Sequence, residues 1–129
     1  MPNERKQVLC VEDNPVNMLL VSRIVEAEGH DLIKAEDGPT AISVLEKMEP
    51  DIILLDITLP GIDGLELARR FKADARLSHI PLIATTAQVL VGDRERCLEA
   101  GCDDYLPKPL DIRKLREVMR TFLNREDVG

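Results

Sequence analysis

The sequence predicts a single α/β domain, a doubly wound parallel sheet of five strands in the order 2-1-3-4-5 with five helices. Short apolar or β-branched runs alternate with longer segments of helical period, five times over. The third and fourth of these runs are apolar almost throughout, as strands covered on both faces must be. A chain of 129 residues suffices for one core, so one domain over 1–129 is expected, with its ordered part from about residue 7 to 123.

The expected strands are Val8 to Val11, Asp31 to Ala35, Ile52 to Leu55, Pro81 to Thr85 and a brief Asp104 to Leu106. The first helix begins after Asn14, a good N-cap, with Pro15 at the first helical position, where its missing N–H costs nothing. Val16, Leu20, Ile24 and Ala27 recur at close to four-residue spacing and are expected to face the sheet, with Gly29 in the left-handed closing position. The second helix is expected from Pro39 to Met48, the third from Leu65 to Ala73, and the fourth from Val89 to Ala100 before Gly101. The last starts at Asp111 and collects Ile112, Leu115, Val118, Met119, Phe122 and Leu123 on one face. Right-handed crossovers wind such a chain outward and then back, which gives the stated strand order.

Composition narrows the function. With 44% hydrophobic and 32% charged residues the chain is neither disordered nor membrane-spanning in character, and no apolar run approaches transmembrane length. The opening residues lack the apolar core of a signal peptide, and three cysteines make no disulfide framework or zinc pattern, so a cytoplasmic address with reduced thiols is expected. A formal net charge of −7 argues against nucleic-acid or anionic-membrane partners and favours a cation or a basic partner. The basic run Arg113, Lys114, Arg116 and Arg120 reads as a solvated helix face, with a docking surface as the alternative.

In open parallel sheets the functional crevice lies beyond the carboxyl ends of the strands. There the first strand delivers Glu12 and Asp13, the third Asp56, the fourth Thr86, and the fifth is followed by Lys108. Unpaired acids gathered together repel one another unless a cation joins them, and an all-oxygen set suits Mg²⁺, with the Thr58 carbonyl placed to add a ligand. A carboxylate beside such an ion can act as nucleophile toward a phosphoryl group, whose oxygens Lys108 and Thr86 would help to neutralise. Alternation puts Thr85 and Thr86 on opposite sides of the strand, and Ala87 after Thr86 leaves room for a phosphate.

Four stretches in order then resemble the receiver domains of two-component response regulators: Val11 to Asn17, Asp56 to Gly64, Thr86-Ala87 and Gly101 to Pro109. The resemblance spans about residues 7 to 123 and implies the flavodoxin-like fold. It implies that Asp56 takes phosphate from a histidine kinase or histidine phosphotransfer protein. Glu12 and Asp13 would hold Mg²⁺ with Asp56, and Lys108 would contact the acyl phosphate. Thr86 and Tyr105 would be the switch pair, the Lys108–Pro109 bond would be cis, and downstream targets would meet helix four, strand five and helix five. Pro107 departs from the small or polar residue of the family. The Asp13-Asn14-x-x-Asn17 stretch is most like receivers of hybrid kinases and of stand-alone phosphorelay regulators.

The chain stops about twenty residues after Lys108, so the expectation is a module with no output domain of its own. Three rival functions fit the residues less well. A Mg²⁺-dependent aspartyl-phosphate phosphohydrolase wants a second aspartate two residues after the first, where this chain has Thr58. A flavodoxin wants a Gly/Ser/Thr-rich phosphate loop where Glu12 and Asp13 would repel phosphate. A phosphorylation-independent pseudo-receiver would not need the complete set of acids, hydroxyl and lysine.

Overall fold

The computed structural model describes residues 5–59, 63–87 and 92–123. Among them, five parallel strands, β1 (Gln7–Val11), β2 (Asp31–Ala35), β3 (Ile52–Asp56), β4 (Leu82–Thr86) and β5 (Asp104–Pro107), form one sheet in the order β2-β1-β3-β4-β5, as the sequence predicts. The helices are α1 (Pro15–Ala27), α2 (Gly38–Lys47), α3 (Gly64–Ala73), α4 (Asp93–Glu99) and α5 (Ile112–Leu123).

Four helices open on an acidic or amide side chain that accepts from otherwise orphaned N–H groups. Asn14 caps Val16 and Asn17 at 2.8 and 3.1 Å, and Asp37 caps Thr40 at 2.8 Å. Asp63 caps Leu65 at 3.0 Å, and Asp111 caps Arg113 at 2.8 Å. Gly29 and Gly101 close α1 and α4 with φ of 83° and 101°. After Gly101, the Cys102 N–H reaches back to the Cys97 carbonyl at 3.0 Å, the paired-bond closure that brings those two buried side chains together.

Alternation along the strands divides the core in two. Leu9, Val11, Ile53, Leu55, Leu82 and Ala84 face α2, α3 and α4, while Val8, Cys10, Ile52, Leu54 and Ile83 face α1 and α5. All three cysteines are buried and outside any disulfide, and burial pushes the Cys10 and Cys102 thiols up to about 12, so these two behave as small hydrophobes. No helix among the described residues is long and apolar enough to cross a membrane.

Several expectations need correction. The core stripe of α1 is Met18, Val21, Ser22 and Val25 together with Ile24, whereas Val16 is 73% exposed, Leu20 only half-buried and Ala27 exposed. A four-residue step drifts by about 40° each time, so a long run at that spacing walks off the face that i, i+3, i+4, i+7 holds. In α5, Ile112 is exposed because the first helical residue precedes the turn that reaches the sheet, while Phe122 is half-buried and packs against the core on the expected face. The fourth helix begins at Asp93, after Gly92 at φ 90°, a left-handed conformation that interrupts a helix; Val89 to Val91 lie outside the described residues. Pro81 precedes β4 and Thr86 ends it, one residue later than expected. The basic run of α5 is partly engaged: Arg120 grips Glu28 through two hydrogen bonds of 2.8 and 3.1 Å, and Arg116 lies 3.3 Å from the same carboxylate.

Candidate active site

The parallel register carries four strand ends to one rim. The Glu12 N–H donates to Ala35 at 2.9 Å, the Ile57 N–H to Thr85 at 3.0 Å and the Lys108 N–H to Thr86 at 2.7 Å, so the sheet ladder itself positions the residues that leave it. Glu12 and Asp56 are buried, Asp13 is exposed, and one oxygen from each of the three lies within 4.8 Å of the others. Lys108 crosses from the far end of the sheet and places its Nζ 2.8 Å from Asp56 Oδ2 and 2.7 Å from Glu12 Oε1. The Lys108–Pro109 bond is cis, as the resemblance implies.

Each buried acid is held by further donors. Glu12 Oε2 accepts from the Asn14 N–H at 3.0 Å, and Asp56 Oδ1 accepts from both the N–H and the hydroxyl of Thr58, at 2.8 and 2.7 Å. Burial works to raise the Asp56 carboxyl, but hydrogen bonds from Lys108 and Thr58 outweigh it and keep the group below the ordinary carboxylate value. Burial likewise opposes the charge on Lys108, and the two carboxylates more than offset it, holding the ammonium above its usual value. The site thus contains an ionised carboxylate at the mouth of a buried strand, with no base needed to activate it. The donor set fits a hard divalent cation: all oxygen, two buried walls and one exposed acid left open to water.

Thr86 and Tyr105 share a face. Thr86 alternates with Leu82 and Ala84, on the side of α4, and Tyr105, paired with Ala84, packs half-buried against that same cluster. Thr85 alternates with Ile83 toward the other face.

Some of this was illegible in the sequence. Nothing at Lys108 signals that it would span two acids rather than contact one. Thr58 was expected to offer its carbonyl and to stand where a phosphohydrolase has its second aspartate, yet its amide and hydroxyl are what turn to Asp56. Gly64 ends one of the matching stretches but carries no role in the sequence reading: a Cβ there would stand 2.2 Å from Ile57 Cα, so α3 seats against the turn that carries Asp56 only because residue 64 has no side chain. The Asp63-Gly64 pair was the one available signal.

The family model of the response regulator receiver domain matches residues 8–120. The chain belongs to that family. It is 40% identical over 118 residues to the polar-differentiation response regulator DivK of Brucella ovis, covering 92% of this chain and 96% of the relative. Its fold is similar to the receiver domain of sensor histidine kinase PA1611 from Pseudomonas aeruginosa PAO1, with a TM-score of 0.84 and 36% identity over 94% of this chain and 99% of that one. That neighbour has a magnesium ion coordinated in its active-site cleft. Response regulator Rcp1, solved in a Mn²⁺-bound form, aligns with a TM-score of 0.77 and 27% identity over 94% of each chain. A receiver-sized response regulator and a receiver of a sensor histidine kinase both stand among the similar proteins.

Proposed function

We propose that this receiver takes a phosphoryl group onto Asp56 from a phosphohistidine of a kinase or phosphotransfer protein and signals through the face built by α4, β5 and α5. The observation that carries the reading is the Asp56 carboxylate, buried, held in its ionised form and gathered with Glu12 and Asp13 within 4.8 Å. In the transfer an Asp56 oxygen forms the new O–P bond as the P–N bond of the donor breaks, and the departing imidazole keeps that electron pair. Glu12, Asp13, Asp56 and the Thr58 carbonyl would hold Mg²⁺, which when bound neutralises charge on the phosphoryl oxygens. Lys108, already 2.8 Å from Asp56, supplies the second positive charge at the same oxygens. Thr86 and Tyr105, on the α4 side, are the proposed switch, the hydroxyl turning toward phosphate and the aromatic following it. Self-phosphorylation and self-dephosphorylation are the whole of its proposed catalysis, in a cytoplasmic setting.

Two surfaces suit the proposed partners. A cavity of about 490 Å³ opens beside the carboxylates, walled by Pro15, Met18 and Leu19, and the exposed Val16 and Leu19 of α1 give a donor protein an apolar foothold there. On the target side, a cavity of about 430 Å³ lies between α4, β5 and α5, lined by Arg94, Tyr105, Lys114 and Val118 among others.

Acetyl phosphate with Mg²⁺ adds one hydroxylamine-sensitive phosphoryl group to the wild type, read by intact mass, and Asp56→Asn takes none. Equal labelling of Asp56→Asn would remove Asp56 from the role.

A further inference from the structure

The two oxygens of Asp56 are not equally occupied. Oδ1 accepts the Thr58 N–H at 2.8 Å and the Thr58 hydroxyl at 2.7 Å, whereas Oδ2 accepts Lys108 at 2.8 Å. A carboxylate oxygen offers about two lone-pair sites, so Oδ1 is filled by one residue. Its two donors differ in kind. The amide is set by the turn after β3, where the preceding Ile57 N–H is bonded to Thr85. The hydroxyl hangs from one rotatable bond on an exposed residue, and a single rotamer step releases it to water.

The geometry points to Thr58 as a releasable latch on the acceptor: its hydroxyl closes the second lone pair of Asp56 Oδ1 in the resting protein and swings away when that oxygen takes a divalent cation. The latch is separate from the carbonyl of the same residue, a backbone atom that does not turn with the side chain. It rests on the reading of Asp56 as the working carboxylate of the site, and deepens it by giving resting Asp56 a guard that competes with the cation.

The test uses the full unphosphorylated chain and Mg²⁺ alone. Thr58→Val keeps the shape and removes the hydroxyl; it binds Mg²⁺ about fivefold more tightly than wild type, the scale of one partly solvated hydrogen bond. Thr58→Ser, which keeps the hydroxyl, stays within about twofold. In the wild type, the Thr58 methyl resonance and its three-bond couplings report a change of rotamer as Mg²⁺ saturates, a measurement that needs no variant to fold. Affinity in Thr58→Val equal to or below wild type, or a Thr58 rotamer unmoved at saturation, overturns the latch. Neither readout requires phosphate, so failure of the wild type to be labelled would strike the acceptor reading and leave the latch to be decided by these results.

Discussion

Lys108 and Lys72 stand at opposite ends of the sheet with similar side-chain exposure, 11% and 18%, and each bonds to acid at under 3 Å. Lys72 donates to Asp103 at 2.9 Å and to the carbonyls of Ile80 and Ser78 at 2.9 and 3.2 Å, tying α3 to the entries of β4 and β5. Asp103 in turn accepts the Leu82 N–H at 2.8 Å. The charges there balance, and two of the three acceptors are backbone atoms with nowhere to go. Lys108 instead lies between two buried carboxylates with a third acid close by, so its pole of the sheet keeps a negative surplus. One lysine closes a structure, and the other leaves room for more positive charge. Residue type, burial and distance do not distinguish them; the sum of charge and the freedom of the acceptors do.

The comparison can be broken from either end. The largest effect is expected at Gly64→Ala, where the new Cβ meets backbone at 2.2 Å; a loss of about 3 kcal/mol in urea unfolding follows, together with slowed acetyl phosphate labelling because the Asp56 turn shifts. Undiminished stability would mean that α3 does not constrain the site.

Next, Lys72→Met leaves partly buried acceptors without their donor and lowers stability by about 2 kcal/mol, with or without Mg²⁺. Lys108→Met destabilises the metal-free protein to a comparable degree, since buried like charges then face each other, but Mg²⁺ recovers most of the loss and binds at least as tightly as in wild type. Mg²⁺ rescue of Lys72→Met, or none for Lys108→Met, would collapse the distinction between the two lysines.

The smallest effect belongs to the Lys72 end of the sheet. His30 Nδ1 accepts the Lys6 N–H at 3.0 Å, and burial keeps the imidazole below its usual value of 6.5. The unfolded chain therefore takes up the proton first as pH falls. Stability from this group is complete above about pH 6.5, declines below it, and levels off once the folded histidine also protonates. Unfolding midpoints from pH 7.5 to 5 should fall for wild type and flatten in this component for His30→Gln; identical profiles would remove His30 as the cause.

How much was legible follows from the range of the interactions. Strand positions, the helix cap at Asn14, and the convergence of Glu12, Asp13, Asp56 and Lys108 depend on local pattern and on the handedness of crossovers, both of which a sequence displays. The inward face of α1 was misread because Val16 and Leu20 are as apolar as Met18 and Val21, and only docking against the sheet chooses between them. The described part of α4 starts later than expected because Gly92 stands in a left-handed conformation that a helix does not pass through, a property of the backbone that the apolar run before it does not announce.

By itself the sequence determined the order of the strands, the acids at their carboxyl ends and the kinship with receivers, since periodicity, punctuation and motif spacing are one-dimensional properties. Tertiary structure alone decided that Lys108 spans Glu12 and Asp56 across 96 and 52 residues of chain, that Lys72 is spent on structure, and that the Thr58 hydroxyl turns to Asp56. Those are matters of ångströms between side chains distant in sequence or free in rotamer, and only the packed sheet sets them.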